Sequence, residues 1–146
     1  MKSFAKILLL SMIPVFALAQ QNTSDSLRKS LQNATTDSAR HNASYKLYFY
    51  YIEVNRDSAL LYAEKRLVIA RKNNINIAEA SALTSKAYQY NAMGRYSEAL
   101  QNLLQALKIA ENPKNEEVQG WKVTQYPISG KSRQIVLATI HDVLGK

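Results

Sequence analysis

The sequence predicts an all-α protein made of antiparallel helical hairpins stacked as a short solenoid. Three observations carry that expectation. Only 4 Gly and 3 Pro interrupt the 146 residues, which favours long helices over a turn-rich β fold. Residues 94–110 (GRYSEALQNLLQALKIA) place Tyr96, Ala99, Leu100, Leu103, Leu107 and Ala110 at spacings of three and four, one stripe down a helix. SALLYAEKRLVIA (58–70) and EALQNLLQALKIA (98–110) align with a period of 40, pairing Ala59 with Ala99, Ala63 with Leu103, Leu67 with Leu107 and Ala70 with Ala110. A hairpin of this kind cannot bury its apolar face alone, so a repeat of it implies stacking.

The elements follow in chain order. Residues 1–19 read as a secretory signal peptide. Lys2 and Lys6 give a positive start, ILLLSMIPVFALA (7–19) is an apolar run too short to span a bilayer comfortably, and Ala17-Leu18-Ala19 is a small-x-small cleavage site before Gln20. Export is the expectation. Residues 20–36 are polar, with a short helix expected around Ser26–Leu31. Asn-x-Ser/Thr triplets begin at Asn22, Asn33 and Asn42; the short leader looks bacterial, so they read as chance rather than as glycan acceptors.

Two hairpins are expected over 37–112. The run from Ser38 to Glu53 is dense in aromatics between Tyr45 and Tyr51, and its length favours a helix over a strand. Asn55-Arg56-Asp57 is a turn in which Asn55 or Asp57 caps the next helix, through Lys72. Asn73-Asn74 is a stop. Asn76, with Glu79 three residues on, reads as a capping pair opening a third helix that carries Ala80, Leu83, Ala87 and Tyr90. Gly94 ends that helix and reverses the chain. Residues 113–131 break the pattern with Pro113, Gly120, Trp121, Pro127 and Gly130. Residues 132–146 restore an apolar helix through Ile135, Val136, Ala138, Ile140, Val143 and Leu144, read as the first helix of an incomplete third repeat and expected to leave apolar surface at 135–144 open for self-association.

Composition narrows the chemistry. There is no Cys, which excludes disulfides and thiolate metal sites. The net charge is +8, and removal of Lys2 and Lys6 with the leader leaves +6. Those charges are spread along helices, so no nucleic-acid partner is expected, and the mature segment carries no membrane expectation. Gly130-Lys131-Ser132 resembles the end of a phosphate loop, but Gln125 stands where that loop needs Gly. His41 and His141 lack partners at metal-ligand spacing and read as solvent-facing or half-buried packing residues. No nucleophile elbow occurs. The expectation is no catalytic residue, no metal and no cofactor. The Tyr45–Tyr51 cluster reads as core, and Trp121 in its loop is the stronger binding candidate of the aromatics.

Leu83, Ala87 and Tyr90, then Gly94 and Tyr96, then Ala99, Leu103 and Ala106 resemble the tetratricopeptide repeat (TPR): bulky, small and Tyr positions on a first helix, a Gly-x-Tyr turn, and spaced small residues on a second. Residues 46–72 follow the pattern less closely. Arg56 replaces the turn aromatic, and Arg66 stands where a small Ala is usual. Lys86 occupies an apolar position, and Pro113 comes two residues late. The period of 40 and the exported, Ser/Asp-rich start are similar to the N-terminal sensory regions of TPR signalling proteins common in Bacteroidetes. The resemblance implies a concave face lined by first helices that binds a protein or peptide without catalysis. On the third helix Ser81, Thr84, Ser85, Tyr88 and Asn91 are the expected binding residues; with Thr84 and Tyr88 in the key places, no carboxylate clamp is expected. The alternative it implies is the periplasmic sensory region of a longer signal-transduction protein, a histidine kinase or transcriptional regulator.

Overall fold

Each helix starts and stops for a local reason. The computed structural model describes residues 22–116, 118–125 and 131–145. The leader over 1–19, with its cleavage site at Ala19, lies outside those residues, as does Gly130 of the Gly-Lys-Ser triplet. Among the described residues there are six helices: α1 (22–32), α2 (Asp37–Tyr51), α3 (Arg56–Lys72), α4 (Asn76–Ala92), α5 (Tyr96–Ala110) and α6 (Ser132–Leu144). No strand occurs among the described residues.

Thr36 caps α2, its hydroxyl accepting from the Ala39 N–H, and Asn55 caps α3 by accepting from the Ser58 N–H. Two reversals share one device. After α3, Asn74 adopts φ 56° and the Ile75 N–H donates to the Ala70 carbonyl at 3.0 Å; after α4, Gly94 adopts φ 74° and the Arg95 N–H donates to the Tyr90 carbonyl at 2.8 Å. Both are Schellman closures, which require a left-handed residue at the turn. This corrects the expected capping pair at α4. Asn76 is already the first helical residue, its amide donates to Asn115 Oδ1 at 2.7 Å, and Glu79 is drawn to Arg71 at 2.8 Å.

The helices pack in order, α2 on α3, α3 on α4, α4 on α5, with α6 closing against both α4 and α5. Three of the four repeat-equivalent pairs are buried at both positions, whereas Leu67 is buried and Leu107 only half-buried. Ala59 and Ala99, Ala63 and Leu103, and Ala70 and Ala110 are all buried. The fold is the expected all-α stack of TPR-like hairpins. Its interior has two parts. Leu47, Tyr48, Tyr51, Ala59, Tyr62 and Ala63 form an aromatic core, against which Leu27 and Leu31 of α1 pack. The second core, between α3, α4, α5 and α6, is dominated by Ala and Leu.

The apolar surface differs in part from expectation. Tyr96 (69% exposed), Leu100 (49%) and Leu104 (54%) face solvent, because α4 covers the Ala99–Leu103–Ala106–Ala110 side of α5 and α6 does not reach around to the other. On α6 the expected apolar set divides: Val136, Ile140 and Val143 are buried against α4 and α5, Ile135 is half-buried, and Ala138 and Leu144 remain exposed.

Candidate functional site

The site begins at a departure from the repeat. Position 66 equals position 106 one period later; Ala106 is a small core residue there, whereas Arg66 is fully buried. A guanidinium cannot be left dry without partners. It sits 4.4 Å from the centroid of Tyr45 and 5.9 Å from that of Tyr48, both on α2, and donates to Ser85 Oγ and Ser81 Oγ of α4 at 2.9 Å each. Among the described residues it forms no ion pair, and its Nε has no partner. Burial pulls its pKa down to about 10, which leaves it cationic at neutral pH. The same burial pushes the Tyr45 and Tyr48 phenols up, so both face the cation as neutral rings.

This cation holds the two first helices apart and together at once. The backbones of α2 and α4 do not approach closely; Arg66, Tyr45 and Tyr48 fill the space, and the Tyr48 hydroxyl donates to the Ser85 carbonyl at 3.3 Å. Further along, the Tyr88 hydroxyl donates to Glu53 at 3.0 Å. Lys86, at its unusual polar position, pairs with Glu64 of α3.

The spacing leaves a cavity of about 330 Å³ between α2, α4, α6 and residues 123–125. Tyr45, Tyr48, Phe49 and Tyr88 supply aromatic wall; Thr84, Ser85 and Thr139 supply hydroxyls, and Asp142 a carboxylate. That is an apolar hollow with a few convergent polar groups, the usual composition of a ligand site.

Four of the five residues expected to bind, Ser81, Thr84, Ser85 and Tyr88, line this cavity. The fifth, Asn91, does not; it borders a smaller hollow with Tyr96, Leu103 and Val143. Nor is the face the open polar surface expected. Ser81 and Thr84 are buried. The Thr84 hydroxyl donates to the Ala80 carbonyl at 2.9 Å, and Ser85 Oγ to the Ser81 carbonyl at 3.0 Å, as helix-interior hydroxyls often do. Ser81 Oγ accepts from Arg66 and donates to the Val123 carbonyl at 2.6 Å, a relay from cation to main chain.

The loop after α5 explains that burial, since it runs back over the concave face. Asn42 of α2 donates to the Gly120 carbonyl at 2.8 Å and accepts from the Lys122 N–H at 2.8 Å. Trp121 lies against His41, ring centroids 5.1 Å apart, and Lys122 Nζ is 5.6 Å from the Tyr45 centroid. Rather than solvent-facing or half-buried, His41 is fully buried, its Nε2 has no hydrogen-bond partner, and burial pulls its pKa down to about 3, with the Arg66 charge adding to the effect. The sequence signals missed were Asn42, disguised as a glycosylation triplet, and His41, which aligns with Ser81 one period on.

The model of one family, described as the SusR N-terminal TPR domain, matches residues 11–119. The chain belongs to the SusR N-terminal TPR family. No curated protein and no solved structure matches it. As a TPR domain it is an interaction scaffold, since TPR repeats serve as protein-binding surfaces and are generally not catalytic units. Among the described residues no cluster of three or more His, Asp or Glu side chains is placed to hold a metal, and no helix is long and apolar enough to cross a membrane. The family match stops at residue 119, so the segment seated on the concave face and helix α6 both lie beyond it.

Proposed function

We propose that this SusR-type TPR domain is an exported scaffold that holds an extended segment of a partner protein on its concave face, in the cavity between α2, α4 and α6. The observation that carries the reading is the cavity itself. It lies where stacked hairpins present their first helices, it combines aromatic faces with hydroxyls, and Thr124 Oγ1 on its rim is buried without a partner. Affinity would come from shape, main-chain hydrogen bonds and aromatic contact, since the cation beneath the floor is screened by Ser81 and Ser85.

Peptides selected from a displayed library on the immobilised protein test this. Binders should lose at least about tenfold in affinity, roughly 1.4 kcal/mol, against Thr139→Trp, which fills the cavity from α6. Binders indifferent to that change would overturn the reading. Export rests on the leader. The mature protein should begin at Gln20 by N-terminal sequencing of periplasmic material. A second reading, the sensory region of a longer signalling protein, is favoured by the family's description as an N-terminal domain. The gene sequence downstream decides it: a membrane helix followed by a kinase or regulator domain supports that reading.

A further inference from the structure

We infer that residues 120–124 are a tethered ligand: the chain fills the peptide groove between α2 and α4 with its own Gly-Trp-Lys-Val-Thr segment, and the groove accepts in its place a free peptide carrying an aromatic, a basic and a β-branched residue in succession. This deepens the concave-face reading and rests on it. Four observations converge. The groove reads main chain: Asn42 grips the carbonyl before Trp121 and the N–H after it at 2.8 Å each, and Ser81 holds the Val123 carbonyl at 2.6 Å. Such contacts are independent of side chains and therefore transferable to another chain. Side-chain selectivity comes from three adjacent places: Trp121 on His41, Lys122 over Tyr45, and Val123, only 6% exposed. The two first helices use equivalent positions, 41 and 81, one period apart, so the groove is a property of the repeat rather than of one loop.

The resident is also an imperfect fit. His41 Nε2 is buried beside it without a hydrogen-bond partner, and the segment's own Thr124 Oγ1 is buried without one as well. A peptide that paired with His41 and buried no unpartnered hydroxyl of its own would gain where the resident loses. What keeps the segment in place is its tether between α5 and α6, which gives it an effective concentration in the mM range.

The test uses a fluorescein-labelled peptide of residues 118–125 and two proteins: the natural chain, and a variant with residues 120–124 replaced by an equal length of Gly and Ser. The variant should bind the peptide at least about tenfold more tightly than the natural chain. Adding Asn42→Ala should return binding to the natural level. A folded variant that fails to bind, or a natural chain that binds equally well, overturns the inference. Neither result touches the cavity reading, which is tested from α6 by the library. Should the variant not fold, hydrogen exchange in the natural chain decides. The Lys122 amide, bonded to Asn42, should exchange at least about tenfold faster than amides in the middle of α4. Exchange of both at one rate, through global unfolding only, would make the segment a fixed part of the core and overturn the inference.

Discussion

The two hairpins share a backbone plan and differ in what they bury. In α4–α5 the shared core is rich in small residues, Ala80, Ala87, Ala99, Ala106 and Ala110, together with Leu83 and Leu103. In α2–α3 the corresponding interface is aromatic, and Arg66 takes the place of Ala106. The small-residue hairpin holds no fully buried cation. The aromatic hairpin does, and that cation finds its hydroxyl partners on the neighbouring hairpin, at Ser81 and Ser85. One substitution in a repeat thus turns two stacked units into one coupled unit, and the coupling lies beneath the candidate site.

Substitutions that exchange the features of the two hairpins should separate them most sharply. Ala106→Arg places a cation where no aromatic box or hydroxyl pair awaits it, and should cost about 4 kcal/mol or more, read as a lowered urea midpoint. Leu103→Ala, in the tight hairpin, should cost about 3 kcal/mol by the same measurement.

Acid should act chiefly on the aromatic hairpin. His41 is held neutral, with its folded pKa near 3 against an ordinary 6.5, so the unfolded chain binds more protons between those values. Stability is therefore fully present above pH 6.5 and lost as pH falls toward 3, by about 3 kcal/mol between pH 7 and pH 4. Asp37, held at about 2 by Asn73, Lys72 and Arg40, adds its own loss only below about pH 4. A His41→Phe variant should show a visibly flatter profile between pH 7 and pH 4. Arg66→Met keeps the volume and removes the charge; it should cost only about 1 kcal/mol, because a buried cation of this kind contributes more to specificity of packing than to stability. Leu100→Gln, on the open side of α5, should change stability by less than about 0.5 kcal/mol.

Much of the architecture was legible from spacing alone. The 40-residue period located both hairpins, and the small residues Ala59, Ala99 and Ala110 marked their interfaces, because close helix approach restricts side-chain size. The site was legible only in part. Ser81, Thr84, Ser85 and Tyr88 fall on the concave side by helical periodicity, which is local. Their availability is not local: it depends on a loop about 40 residues downstream that covers Ser81, and on Arg66, whose role appears only once α2 and α4 flank it. Tyr96 fits the family's turn pattern in sequence, yet it is exposed, since the neighbour that would cover it must come from elsewhere in space.

The grip of Asn42 on the returning loop also bears on how the protein should be produced. Asn42-Ala43-Ser44 is an acceptor triplet, and a eukaryotic secretory host glycosylates such sites on the nascent chain, before the loop can reach the helix. A sugar on that amide nitrogen replaces one of its two hydrogens and sets a bulky group beside the Gly120 carbonyl, so material from yeast or mammalian culture should emerge with its concave face uncovered. Asn22 and Asn33 lie on the outer surface and would carry glycans without that effect. The choice of expression host is thus itself a perturbation of the groove, available without altering a codon.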